Sequence, residues 1–461
     1  MKNMRFKKGL SLLICALTLA TSGCTGGDKT PENIVKGLPD YSADEASRVV
    51  MMGGFCAPHN GVFNGGSADY ITEKAYAEVR DAGLDYVMTL YEQGPTNPDI
   101  LRHLDCAASA GVKVMVRWDA ISGFANATPQ SMENALNGIQ HHEAFYGILA
   151  KDEPHASLFS DLGKACAVYK QVVPDKYFFV NLFPNYANNT QLGTKTYKEY
   201  VNNYCALVDN GMVMHDYYPY GHIEGSKEYS VGDGMLLNLE TILKYAQYYK
   251  KEHWAYVQAE RKFIGMTGKV IDYYDMRHQI YTNMCYGVTN MQYFCYFSPA
   301  DNTEEKDAAF IGSDGQKTDR WYAGQKINAE VHAFDHVYLN FANQHTGTMT
   351  IIGTQNVKGK QKAFEALQES ITSHERIQSV TAEQDTIIGT YKDGDGRDGF
   401  MIVNYSVPAY RTKDKVSIQF KYADAVIYYR EGKYNLVELQ DGKFEIELDA
   451  GEGVFAIPVK Y

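Results

Sequence analysis

The feature that most constrains this chain is a unit repeated eight times between residues 49 and 340: a short apolar run, a polar or glycine-rich turn, then a helical stretch. The runs cover residues 49–55, 86–90, 113–118, 146–150, 177–182, 212–215, 254–259 and 291–297. Their starts lie roughly 30–40 residues apart, the length of one strand-plus-helix unit. The intervening segments carry helix boundary chemistry. Residues 71–82 run into Gly83, 97–110 run from Pro98 into Gly111, and 158–173 stop before Pro174, with 236–251 and 273–287 following the same form. Strands this continuously apolar are covered on both faces, as parallel strands are. The expected fold is therefore α/β: a (β/α)₈ barrel over residues 48–343, a span that fits the usual length of about 250 residues plus insertions. The longer interval between the sixth and seventh runs holds 220–234, with four glycines, and is expected to be a loop over the active face.

Beyond residue 345 the period changes. Alternating runs at 348–352, 386–391, 399–405, 416–420, 425–429, 435–439, 444–448 and 453–459 are separated by turns such as Asp393-Gly394-Asp395-Gly396 and Asp441-Gly442. Spacing near ten residues with these turns predicts an antiparallel β-sandwich over 344–461, preceded by one helix at 360–373.

The N-terminus reads as an address. Lys2, Arg5, Lys7 and Lys8 precede an apolar run at 10–20, then Thr21-Ser22-Gly23-Cys24. A basic segment, a short apolar core and small residues before a cut describe a signal peptide over 1–23. The run is too short to span a bilayer, which takes about 20 apolar residues. Cysteine directly after small residues resembles a bacterial lipoprotein signal, which implies lipidation at Cys24, a tether over 24–47, and an exported protein whose only membrane contact is its anchor. Losing the four basic residues takes the net charge from −12 to −16. That acidity argues against nucleic acid, which wants a basic surface. Of the eight cysteines, the six beyond the signal show no CxxC spacing, so buried thiols are expected rather than a zinc site or a disulfide framework.

In a barrel of this kind, chemistry sits at the C-terminal ends of the strands. The ends read Arg117-Trp118-Asp119 (third), Asp152-Glu153-Pro154 (fourth), Asn181 (fifth), His215-Asp216-Tyr217-Tyr218 (sixth), Glu260 (seventh) and Tyr296 (eighth). Two carboxyls facing each other across a pocket suit glycoside cleavage: one protonates the leaving oxygen, the other attacks or activates water. Glu153 and Glu260 are the expected catalytic pair. Asp152, Arg117, Trp118, Asp119, Asn181, His215, Asp216, Tyr218 and Tyr296 are the candidate substrate contacts, rich in groups that stack on sugar rings and bond their hydroxyls.

A barrel with glutamates after strands 4 and 7 resembles clan A of the glycoside hydrolases. Asp216-Tyr217-Tyr218-Pro219 resembles the turn after strand 6 in family 42 β-galactosidases. Residues 315–330 resemble the entry to the last barrel helix of such enzymes, and 450–455 the final strand of their C-terminal sandwiches. The resemblance implies a retaining mechanism, with Glu153 as acid/base, Glu260 as nucleophile and Tyr218 bonded to the nucleophile. It also implies a neutral carbohydrate substrate and no cofactor. Clan members usually carry Asn where this chain has Asp152, and an ionised aspartate cannot donate the bond that the asparagine gives the sugar 2-hydroxyl. That departure leaves a second reading open: a non-catalytic glycan-binding lipoprotein on a degenerate barrel. A metal-dependent barrel hydrolase is disfavoured because no His-x-His follows the first run, so no metal is expected. A chitinase-like run of acids is disfavoured because Gly147-Ile148-Leu149-Ala150-Lys151 precedes the acids of the fourth.

Overall fold

The computed structural model describes residues 41–61, 68–119, 125–222, 229–260, 271–299, 309–355 and 362–461. The expected signal peptide, Cys24 and most of the tether lie outside the described residues. The end of the expected tether carries a short helix, Ala43–Ala46, closed by a reciprocal Ser42–Glu45 cap.

The eight runs form strands β1 (Met51–Phe55), β2 (Tyr86–Met88), β3 (Lys113–Arg117), β4 (Phe145–Asp152), β5 (Tyr177–Leu182), β6 (Met212–His215), β7 (Glu252–Gln258) and β8 (Val288–Phe294). β1 pairs in parallel with both β2 and β8, and the sheet closes in the order β1-β8-β7-β6-β5-β4-β3-β2. Helices alternate with the strands and begin and end on the expected signals. Thr72 caps Glu73–Asp81, and Asp99–Ala110 ends on left-handed Gly111. Asp272 caps Tyr273–Cys285, and its own amide donates to the Asp275 carboxylate at 3.1 Å.

Tyrosine is abundant in the chain, with 36 residues, and part of that excess fills the barrel. The rings of Tyr86, Tyr146, Tyr177 and Trp254 follow one another at centroid separations of 5.2, 4.8 and 4.8 Å. The Tyr86 hydroxyl donates to Asn290 and Gln292 of β8 at 3.0 and 3.2 Å, crossing over β1. Gly53 makes that possible, since a Cβ there would sit 2.2 Å from the Tyr86 ring. The lower barrel is thus a packed core rather than a pore.

The strand bounds shift from the expected runs by up to three residues, and two of the shifts bear on the mouth. β4 continues through Lys151 and Asp152, because Asp152 pairs with Asn181. β8 runs 288–294 rather than 291–297. Past Phe294 the chain stays on β1, with the Tyr296 and Phe297 amides donating to Phe55 and Cys56 at 2.7 and 3.1 Å. On the other side, the amides of Ala259 and Glu260 converge on the Phe294 carbonyl. The interval after β6 carries a two-stranded ribbon, Tyr220–His222 with Tyr229–Val231.

The C-terminal part is the expected sandwich. It comprises β9 (His345–Ile351), β10 (Ile377–Ala382), β11 (Thr386–Lys392), β12 (Asp398–Asn404), β13 (Asp414–Phe420), β14 (Ala425–Arg430), β15 (Lys433–Glu438), β16 (Lys443–Leu448) and β17 (Gly453–Val459). A six-stranded sheet, β9-β11-β12-β17-β14-β15, faces a three-stranded one, β10-β13-β16. Their inner faces enclose Ile388, Phe400, Ile402, Val416, Ile418, Phe420 and Phe444. β10 was not anticipated, since only its two end residues are buried and it lacks an apolar run. The helix expected at 360–373 is only Lys362–Glu365 among the described residues. The amides of Gln368 and Glu369 turn instead to the Glu240 carboxylate at 2.9–3.1 Å, and that of Ile371 to Thr348. A side-chain acceptor takes the donors that another helical turn would have used.

Barrel and sandwich belong to one compact unit. Arg277, on the helix Tyr273–Cys285, is buried between Glu330 (3.3 Å) and Glu452 (3.0 Å), and Arg430 meets Glu452 at 2.8 Å. The six cysteines at 56–295 are free thiols, all but Cys106 buried.

Candidate active site

Three adjacent strands, β4, β5 and β6, bring three acids together. Asp152 is the last residue of β4, and its Oδ1 accepts from Asn181 Nδ2 of β5 at 3.0 Å. The next residue, Glu153, leaves the strand at φ +43°, with its amide on the Asn181 carbonyl at 2.9 Å. Left-handed backbone at a non-glycine residue costs about 1–3 kcal/mol and persists only where its surroundings hold it. Here the Tyr200 hydroxyl does so, donating to the Pro154 carbonyl at 2.7 Å. Asp216 follows β6 directly and is buried. Asn181 Oδ1 and Asp216 Oδ1 are buried with no hydrogen-bond partner among the described residues.

The acids perturb one another. Glu153 keeps access to solvent, yet its carboxyl is pushed up to about 7, first by desolvation and then by the charge of Asp152. Burial raises Asp152 as well, opposed by the Asn181 amide and by the Arg117 guanidinium. Asp216 lies well above the carboxylate range, through burial and then through Glu153 and Asp152. A like charge nearby disfavours ionisation, so each of these carboxyls holds its proton to higher pH than a free one.

Arg117 and Asp119, after β3, form one unit. Both Nε and Nη2 of the arginine donate to Asp119 Oδ2, at 2.8 and 2.7 Å. Trp118 between them is half-buried and anchored by its amide on the Leu149 carbonyl at 2.8 Å, with its indole near Gly94. Across the mouth, Glu260 lies two residues past β7 and is buried, its amide on the Phe294 carbonyl at 2.7 Å. Gln258, at the end of β7, is braced by Gln279, whose Oε1 accepts from the Gln258 amide at 2.7 Å. Tyr218 is buried with its ring 5.3 Å from Phe294, and its hydroxyl feels the charge of Asp216.

Two candidates turn away from the mouth. His215 is buried between strand and helix, its Nδ1 held by Asn238 at 3.0 Å and its Nε2 by His253 at 3.1 Å. Burial pushes it down to about 4, so it is a neutral packing residue. Successive residues of a strand face opposite sides, and Asp216 takes the mouth. Tyr296 is likewise buried behind β8, against Phe310 at 6.1 Å, with its hydroxyl bonded to Trp321 of the last barrel helix.

Two tyrosines escaped the sequence reading. Tyr256 lies within β7 rather than at its end, and its buried hydroxyl feels Asp152, Asp216 and Arg117. Tyr186 lies in the turn after β5 and is 55% exposed. On the β1 side, buried His59 is ringed by Tyr91 at 5.0 Å and Phe297 at 4.8 Å. Among the described residues, no group of three or more His, Cys, Asp or Glu is placed to hold a metal ion.

No family model matches this sequence, and no curated protein matches it. Solved structures of similar architecture include glycoside hydrolases. A β-galactosidase from the psychrophile Marinomonas ef1 aligns at a TM-score of 0.48 and 9% identity, over 63% of this chain and 62% of that one. This chain thus spans less than two thirds of that protein's length. A structure described as a glycoside hydrolase aligns at 0.47 and 12% identity, over 89% of this chain and 92% of that one. At these identities and scores the likeness is one of general architecture.

Proposed function

We propose that the chain is a glycoside hydrolase that cleaves neutral oligo- or polysaccharides with retention of configuration, Glu153 acting as acid/base and Glu260 as nucleophile. The observation that carries this reading is the Glu153 carboxyl, solvent-accessible at a strand end beside Asp152 and pushed up to about 7 by desolvation and then by that neighbour's charge. A general acid works best with a pKa near the operating pH. In the first step Glu260 attacks the anomeric carbon and the C–O bond breaks. The bonding pair leaves with the oxygen, which takes the Glu153 proton. In the second step water attacks the glycosyl ester as Glu153 removes its proton, and Glu260 leaves as carboxylate.

Asp152 supports this as the neighbour that helps keep Glu153 protonated, itself steadied by Arg117. Asn181 offers its unpartnered Oδ1 to a sugar hydroxyl beside the acid. Export with lipidation at Cys24 completes the proposal. Replacing Cys24 with alanine is then expected to release the protein from membranes.

The test is hydrolysis of a panel of aryl glycosides by the wild type, Glu153→Gln and Glu260→Gln, with the product anomer read by NMR. Glu153→Gln should lose about 10²–10⁴-fold on substrates with poor leaving groups and far less on those with good ones. Glycan binding without turnover on any sugar would instead support the non-catalytic reading.

A further inference from the structure

Tyr186 is the most exposed large aromatic side chain near the three acids, and its loop holds it there. The turn Pro184-Asn185-Tyr186-Ala187 is closed by the Ala187 amide on the Pro184 carbonyl at 3.0 Å. Asn185 pins that turn to the helix Met235–Tyr248 and its start. Its amide donates to Asn238 Oδ1 at 2.8 Å, and its Nδ2 donates to the Gly234 carbonyl at 2.9 Å. The Tyr186 ring meets Tyr217 edge-on at a centroid distance of 5.2 Å, and Tyr217 is itself immobilised. A Cβ at Gly232 or Gly234 would lie 2.7 or 3.0 Å from the Tyr217 hydroxyl, so only glycine gives that ring its place. The Tyr186 hydroxyl is bonded to the backbone of Tyr218, and it feels Asp216 and Glu153. Tyr186, 55% exposed as a residue, is fixed by the edge-on contact with Tyr217 and by the bond of its hydroxyl, and stands beside the acids as a rigid wall. An unsupported aromatic of this exposure would swing into its neighbours to bury its face.

We infer that Tyr186 is the platform for the leaving-group sugar, stacking on the apolar C–H face of a neutral saccharide ring on the far side of the bond being cleaved. This rests on the glycosidase reading above and deepens it. The geometry selects that side. The leaving oxygen takes its proton from Glu153 of β4, so the departing ring lies against the acid, and Tyr186 comes from β5, the strand next to β4. Glu260, which holds the other sugar, comes from β7, three strands from β4 and two from β5 around the ring. The flanking groups are acidic, which favours a neutral leaving sugar over an anionic one. The enzyme therefore draws part of its transition-state binding from a second sugar unit and acts on saccharide chains rather than on glycosides of small alcohols.

Glycosyl fluorides separate the two halves of the site, because fluoride leaves without a sugar on the acid side. The wild type, Tyr186→Ala and Tyr186→Phe would be assayed on both anomers of galactosyl, glucosyl and mannosyl fluoride and on disaccharides of the same donor sugars. The inference expects Tyr186→Ala to lose roughly tenfold in kcat/KM on the disaccharide that the wild type cleaves. It expects no change on the matching fluoride, and near wild-type rates for Tyr186→Phe on both. Equal losses on fluoride and disaccharide, or no loss on either, would overturn it while leaving the glycosidase reading intact. A wild type inert towards every fluoride and disaccharide would overturn the glycosidase reading, and this inference with it.

Discussion

Two clusters of acids sit in this molecule and are held in opposite ways. At the junction of barrel and sandwich, Glu330 and Glu452 face guanidinium groups: Arg277 lies between them, and Arg430 completes the set. At the mouth, Asp152, Glu153 and Asp216 face one another, with Arg117 the cation acting on Asp152 and itself engaged by Asp119. The junction sets its acids against cations; the mouth sets them against one another, so that the carboxyls of Glu153 and Asp216 are pushed up. A buried ion pair resists loss of either partner, whereas a carboxyl raised by desolvation and by a like-charged neighbour has a proton to give near neutral pH. The first arrangement serves cohesion between two layers of the fold. The second costs stability and, on the proposed reading, supplies the proton for bond cleavage.

The sharpest way to break this contrast lies at the opposite wall of the mouth. With Glu260 as nucleophile, Glu260→Gly should lower turnover on the order of 10⁴-fold or more. Azide added to that variant should restore activity by occupying the vacated space, giving a glycosyl azide of inverted configuration. Unchanged turnover would transfer the nucleophile's role to another acid of the mouth, Asp216 first among them.

At the junction, Arg277→Ala leaves two buried glutamates short of a cation and should cost about 3–5 kcal/mol by denaturant unfolding. Its activity per folded molecule should stay unchanged. The mouth should respond in the other direction. Asp216 has its folded pKa raised, so the native state binds more protons than the unfolded one, and stability falls as pH rises from the ordinary aspartate range upward. Asp216→Asn should therefore gain on the order of 1 kcal/mol at pH 7.5, with the gain vanishing towards pH 4. A loss of stability at pH 7.5 would mean that Asp216 is held as a paired carboxylate, and the contrast between the two clusters would fail.

These clusters were unequally legible in the sequence. The barrel announces itself because strands buried on both faces read as continuous apolar runs, and because Gly83, Gly111 and Pro174 end helices by their backbone preferences alone. The end of β4 was legible for the same kind of reason, since Pro154 stops the strand just past Glu153. What a linear reading lacks is the phase of the last strand residue. His215 and Asp216 are neighbours in sequence, yet one packs against Asn238 and the other against Asn181. Tyr296 fails in the same way, behind β8. Tyr186 lay four residues past β5 in a turn with no periodicity, and only Asn185's bonds to a helix some fifty residues later give it a place. The junction was invisible because Arg277, Glu330 and Glu452 are brought together by two layers of the fold, not by any local pattern.

The smallest effect tests the mouth most directly. Glu153 acts as an acid only while protonated. With its carboxyl at about 7, kcat/KM should fall as pH rises through that value. Two causes set this position: desolvation, the larger, and the charge of Asp152, the smaller. Asp152→Asn removes only the second. The carboxyl should then ionise more readily, and the alkaline limb of the pH profile should move to lower pH. It should still lie above the range of an ordinary glutamate, because burial is untouched. The substitution is nearly isosteric, and Asn181 can still bond the new amide oxygen, so the strand end should hold its shape. Below the limb the variant should work at least as well as the wild type, since an asparagine can donate to a sugar hydroxyl where the ionised aspartate cannot. A limb that stays where it was would mean that Asp152 does not set the proton on Glu153, and desolvation alone would be left to hold it.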